Sequence, residues 1–275
     1  FVKSEDGKFL WKCDTSSDEL TGHYFFYGVY YDLVAQTDTE KAKVREVVAD
    51  VTDHLIRNGF YLKDHDGKAT RWGDFSPEFC NSIWGWDQRG LNSMMMLSFL
   101  NVAKHVTGDA KYDKVAKMLR DEHNYHINAM HGKEFFPPSN VVPWDNNLCL
   151  MSMYGLMNYE TDPELLIMWR MSLENSWLHI SKQENAFWNS IYAALANNFT
   201  EKANKGFFKT GNVFSEAGNF INQVIAEFNK VPALGAGILE TLQRIPLDLV
   251  GYRMDNTHRL DVEFDPAPGQ KSTMG

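Results

Sequence analysis

A chain of 275 residues, 44% hydrophobic and 23% charged, carries enough apolar material for one large folded domain and is not a disordered segment. A net charge of −9 argues against nucleic acid as a partner, because phosphate binding needs a basic face. No apolar run reaches membrane-spanning length, so no membrane partner is expected, and three sparse cysteines (Cys13, Cys80 and Cys149) make neither a disulfide framework nor a zinc site.

The first element is announced by Ser16-x-x-Glu19, a capping box, with Asp18 beside it favouring a helix N-terminus through the macrodipole. The helix it opens, over 20–35, is apolar nearly all round. His23 falls one turn in, near Glu19 by i,i+4 spacing, and Asp14 precedes the cap. Thr37-Asp38 then caps a second helix, 40–57, whose Val44, Val47, Val48, Val51 and Leu55 form a single stripe. "FYLKDHDGKATRW" reads as a short β-hairpin turning at Asp66-Gly67. A long loop follows, punctuated by Gly73, Pro77, Gly85 and Gly90. It holds Trp72, Asp74, Glu78, Trp84, Trp86, Asp87 and Arg89. Capping is the plain reading of Glu78 and Asp87.

The pattern then repeats. An apolar helix over 92–106 ends at Thr107-Gly108-Asp109, and a charged helix over 111–124 follows. After a loop containing Trp144 and Asp145, read as an N-cap, an apolar helix over 147–159 ends at Thr161-Asp162-Pro163, which opens another helix. "FWNSIYAALANN", starting near Trp188, and "EAGNFINQVIAEFNKV" read as a fourth pair. Irregular spacing of the markers argues against a strict solenoid.

Helices apolar all round belong inside, and helices with one stripe belong outside. The expected fold is therefore all-α: an (α/α) toroid or barrel of helical hairpins in one domain, 1–275, with a small β-hairpin. Inner helices that run the same way share one end. The loops feeding them, 1–17, 59–90, 132–146 and 182–187, collect the carboxylates and tryptophans there, while the loops at the other end are short and plain.

Nucleophile elbows, a Walker A motif and a dinucleotide fingerprint are absent from the sequence, and His123-x-x-His126 with His131 lacks the acidic partner of an HExxH-type metal site. No metal or cofactor is expected. Asn198-Phe199-Thr200 matches a glycosylation sequon, a match expected by chance.

"DTSSDELTGHYFFYGVYYDLV", "DHDGKATRWGDFSPE", "RGLNSMMMLSFLNVAKHVTGDAKY" and "PLDLVGYRMDNTHRLDVE" resemble a group of bacterial proteins related to the six-hairpin glycosidases. The resemblance implies relatives such as unsaturated glucuronyl hydrolases and a periplasmic or secreted location. This chain departs from the group in carrying Asn146 and Asn147 where acidic residues are expected. It is also short for six hairpins, which together with the Phe1 start suggests a processed chain or fragment.

The expected function is a glycoside hydrolase-like activity on a polysaccharide or oligosaccharide fragment, including uronate-containing ones. Two carboxyl groups across the scissile bond would do the chemistry: Asp14 with Asp87 or Asp145. Glu19, His23, Glu78 and Arg89 would bind substrate, and Trp72, Trp84, Trp86, Trp144 and Trp188 would stack on sugar rings. Two rivals stand beside it: a polysaccharide lyase using Tyr24 or His23 as base, and a toroid that only binds a glycan or a protein.

Overall fold

The structure, a computed structural model, describes residues 1–133, 142–180, 185 and 187–195. The return helix of the fourth pair, the glycosylation sequon and the C-terminal segment of the resemblance lie outside the described residues, as do parts of two mouth loops. The described chain is mostly helical, with two small antiparallel hairpins. No helix among the described residues is long and apolar enough to cross a membrane.

Strands β1 (Val2–Lys3) and β2 (Leu10–Trp11) pair in a segment expected to be loop, with Val2 opposite Trp11. Helix α1 (Ser17–Val29) continues as a π turn over Tyr30–Val34, closed by the Ala35 N–H donating to the Tyr30 carbonyl at 2.8 Å. Helix α2 (Asp38–Arg57) returns antiparallel, and β3 (Tyr61–Lys63) pairs with β4 (Ala69–Asp74) in the expected hairpin, whose Gly67 turns at φ +77°. His54 of α2 accepts the Lys63 N–H at 3.1 Å, which ties that hairpin to the helix. Short α3 (Pro77–Cys80) and a 3₁₀ turn (Ile83–Gly85) lead into α4 (Arg89–Thr107). Then come α5 (Ala110–His123), α6 (Tyr125–Asn128), α7 (Pro143–Tyr159), α8 (Pro163–Ile180) and α9 over 187–195.

The helix boundaries follow local chemistry. Thr37 and Glu40 form a capping box at the start of α2, Asp109 caps α5, and Asp162 accepts the Glu164 N–H at the start of α8. Gly108 ends α4 in the left-handed region at φ +74°, which costs glycine nothing.

Helix α4 is the centre of the core. Every residue from Gly90 to Ala103 is buried, and α1, α2, α5, α6 and α7 all pack on it. Burying each of its large apolar side chains contributes roughly 1.5–3 kcal/mol before entropy is counted. The outer helices bury one stripe each, Val44, Val48, Thr52 and Leu55 on α2 and Tyr112, Ala116 and Leu119 on α5. The inner–outer distinction therefore holds for α4 against α2 and α5.

It does not hold for α1. Leu20, Thr21, Tyr24 and Gly28 make one buried stripe, while Phe26 is 54% exposed and Leu33 of the π turn 69%. An apolar composition is not by itself a buried helix: α1 packs on α2, α4 and α7 mainly along that stripe, with Phe25 half-buried against Tyr154. Helices α1, α4 and α7 also touch one another pairwise, so they form a close-packed triangle. Thr21, Tyr24, Phe99, Val102, Ser152 and Tyr159 are among the side chains lining the crevice between them.

Candidate functional site

The N-terminal ends of α1, α4 and α7 each carry a carboxylate. Asp18 stands in the first turn of α1, Asp87 just before α4 and Asp145 in the first turn of α7. Helix N-termini favour negative charge, which makes each position reasonable by itself. The charges of Asp18 and Asp87 both reach Asp145. Burial pushes the Asp145 carboxyl up, the Lys133 ammonium 3.2 Å away pulls it down, and the charges of Asp18 and Asp87 push it up again. The net direction is upward from the ordinary aspartate value, with burial the largest cause.

Asp145 is not the N-cap that its sequence position suggested. Pro143 begins the helix and Val142 precedes it without a side-chain cap, so Asp145 lies inside the first turn with its carboxylate free to pair with Lys133. Lys133 reaches that place through Gly90: a Cβ there would lie 2.2 Å from the His131 carbonyl and 2.5 Å from that of Gly132. Only glycine lets the 131–133 segment cross the start of α4 so closely.

Asp14 is held elsewhere. It adopts φ 54°, donates its N–H to Asp64 at 2.7 Å and accepts the Arg71 N–H at 2.8 Å, so its carboxylate is engaged with the backbone of β4. Glu19 serves the capping box and pairs with Lys12 at 2.9 Å. Burial alone would raise it, but hydrogen bonds from Ser16 and the Lys12 pair hold it down at about 2. His23 is exposed and stacks on Tyr27, with ring centroids 5.8 Å apart. Glu78 is exposed in the first turn of α3. Arg89 donates to the Ser82 carbonyl at 2.9 Å, and its buried Nε has no partner among the described residues.

The tryptophans divide. Trp84 is 82% exposed, Trp86 54%, Trp72 51% and Trp144 41%, so these four present ring surface to solvent. Arg71 lies 5.4 Å from the ring of Trp72. Trp188 is a correction: it is 1% exposed and donates its indole N–H to Asn147, so it is a core side chain with no free face for a sugar. Tyr24 is a second correction. It is buried against Phe99 with its hydroxyl on Thr52 at 2.6 Å, and burial raises its pKa further, which removes it as a lyase base.

Sequence reading passed over Lys133 and gave Asp18 only a capping role. The single lysine in the loop feeding α7 was the available signal for the first. The second needed three dimensions.

At the other end, whose connecting loops are short as expected, the helices themselves bring together a polar cluster. Asp32 of the π turn meets His105 Nε2 at 2.7 Å and accepts from the Tyr159 hydroxyl at 2.9 Å, and the rings of His105 and Tyr159 stack at 4.0 Å. Arg45 donates to Tyr31 beside them. Among the described residues, one set of mixed donors also comes within metal-holding distance, Cys13, Asp64 and His65, on the β3–β4 hairpin rather than among the carboxylates.

Comparison with protein-family models, curated proteins and solved structures found no match to this chain.

Proposed function

We propose that this chain is a glycoside hydrolase-like protein acting on an oligosaccharide, with its chemistry at the N-terminal ends of α1, α4 and α7. The observation that carries the reading is Asp145: a largely buried carboxyl with a raised pKa, placed near the charges of Asp18 and Asp87. A carboxyl with a raised pKa and a second carboxyl nearby suit the division of labour glycoside hydrolysis requires, one group protonating the leaving oxygen and the other serving as base or nucleophile. In this reading Asp145 is the acid and Asp87 its partner, in place of the Asp14 pairing expected from sequence. Asp18 raises the acid's pKa through its charge. Exposed Trp86 and Trp144 flank Asp87 and Asp145 in sequence and offer faces for sugar rings.

The succession of a helix and a returning helix, three times over in α1–α2, α4–α5 and α7–α8, supports a relation to the (α/α) toroids. The direct contact of α1 with α7 would make this a version with a closed centre.

The test is turnover of a panel of neutral and uronate-containing oligosaccharides, with melting temperature measured in parallel. Asp145→Asn and Asp87→Asn are expected to lose about 10²–10⁴-fold in rate while staying folded. A wild-type chain that binds a glycan and turns none over, with affinity resting on Trp86 and Trp144, would replace this reading with the binding-only one.

A further inference from the structure

We propose that Cys13, Asp64 and His65 form a binding site for a zinc-class divalent transition metal, which staples the segment before α1 to the β3–β4 hairpin. The three donors come from two segments some fifty residues apart and converge on one point. The Cys13 thiol lies 3.8 Å from His65 Nδ1, and Asp64 Oδ1 lies 3.2 Å from the same nitrogen. All three ligand atoms fall within 4.8 Å of one another.

The two spacings to Nδ1 match edges of a coordination tetrahedron. Zinc bonds of about 2.3 Å to sulfur and about 2.0–2.1 Å to nitrogen or oxygen imply a sulfur–nitrogen edge of about 3.6 Å and a nitrogen–oxygen edge of about 3.4 Å. The cluster sits within a few tenths of an ångström of both. A catalytic triad would look different. There the thiol and the carboxylate contact opposite imidazole nitrogens, whereas here both approach Nδ1.

The donor types narrow the ion. A thiolate with an imidazole and a carboxylate suits zinc or cobalt and disfavours calcium and magnesium, which take oxygen. The carboxylate is oriented from behind: its second oxygen accepts the Asp14 N–H at 2.7 Å, while Oδ1 also accepts the His65 N–H. Outer hydrogen bonds of this sort fix a ligand's direction. Cys13 is also the accessible thiol. Cys80 and Cys149 are buried, and burial pushes both thiols up to about 11. Three protein ligands leave a fourth position to water, and the ion would add a cross-link where the N-terminal segment is otherwise tied to the hairpin by the two Asp14 hydrogen bonds.

The experiment is a titration of the reduced, untagged full chain with Co²⁺ alone, followed by displacement with Zn²⁺. A thiolate-to-cobalt charge-transfer band saturating at one ion per chain is expected, bleached by Zn²⁺, with Zn²⁺ raising the melting temperature. Cys13→Ser should abolish the band, and His65→Ala should weaken the ion's affinity about 10-fold or more. Both positions lie outside the core, so both variants should melt as the metal-free wild type does. A folded wild type without the band, or a band that survives Cys13→Ser, overturns the site. Neither outcome depends on glycan turnover.

Discussion

The two ends of the inner helices share their three elements and handle charge in opposite ways. At the C-terminal end Asp32 is bound from both sides by His105 and Tyr159, and Glu160 accepts the N–H groups of Thr161 and Asp162. At the N-terminal end Asp145 is paired with Lys133 and feels the charges of Asp18 and Asp87. The first arrangement satisfies its groups. The second buries Asp145, and that burial first, with a smaller push from the charges of Asp18 and Asp87, raises its pKa. A carboxyl perturbed by burial and by neighbouring charge in this way marks a candidate site of chemistry.

The contrast can be broken in several places. The largest effect should come at the crowded end. Turnover that needs protonated Asp145 falls as pH rises through its raised pKa. Asp18→Asn removes one of the charges that raise it, so the alkaline limb of the pH–rate profile should move to lower pH while the catalytic pair stays in place. An unmoved limb would separate Asp145 from the chemistry.

Next in size is Gly90→Ala. The added Cβ meets two backbone carbonyls, so the 131–133 segment must shift, carrying Lys133 from Asp145. A loss of about 1–3 kcal/mol in unfolding free energy is expected, together with reduced turnover. At the opposite end, Asp32→Asn should cost a similar or smaller amount, about 1–3 kcal/mol, because His105 and Tyr159 lose their shared charge. Turnover should be unchanged. Denaturant melts paired with rates distinguish the two.

Smaller still is Ser16→Ala, expected to cost about 0.5–2 kcal/mol through the cap of α1. The same box carries a pH signature. Glu19 is held at about 2 against its ordinary 4.5, so its contribution to stability is present above the ordinary value and is lost as pH falls from there towards about 2. Glu19→Gln should flatten that part of the acid melting curve. Smallest is Asp14→Asn, whose amide oxygen can still accept the Arg71 N–H. It should cost at most about 1 kcal/mol and spare turnover.

What could be read in the sequence is what local chemistry decides. Thr37, Asp109 and Asp162 cap where they were expected to, because a cap needs only its own next few residues. The burial of α4 was legible because no face of it is polar. The Asp66-Gly67 turn was legible because few dipeptides tolerate that geometry. What was not legible depends on which distant residues become neighbours. Asp32 and Tyr159 are far apart in the chain, and nothing around either one announces the other. The half-exposure of α1 is set by what packs against it, not by its composition. Asp14 looked free because the hairpin that occupies it lies fifty residues on.

The π turn at Tyr30–Val34 carries a consequence for chain length. One residue more than an α turn needs is absorbed there, and an α-helix rotates about 100° per residue. Removing any one residue between Tyr30 and Val34 would let the segment relax to ordinary α geometry and swing position 32 about a quarter of the way round the helix. The clasp between Asp32, His105 and Tyr159 is thus indexed by counting residues. A chain one residue shorter would have to present its acid from a neighbouring position to close the same end.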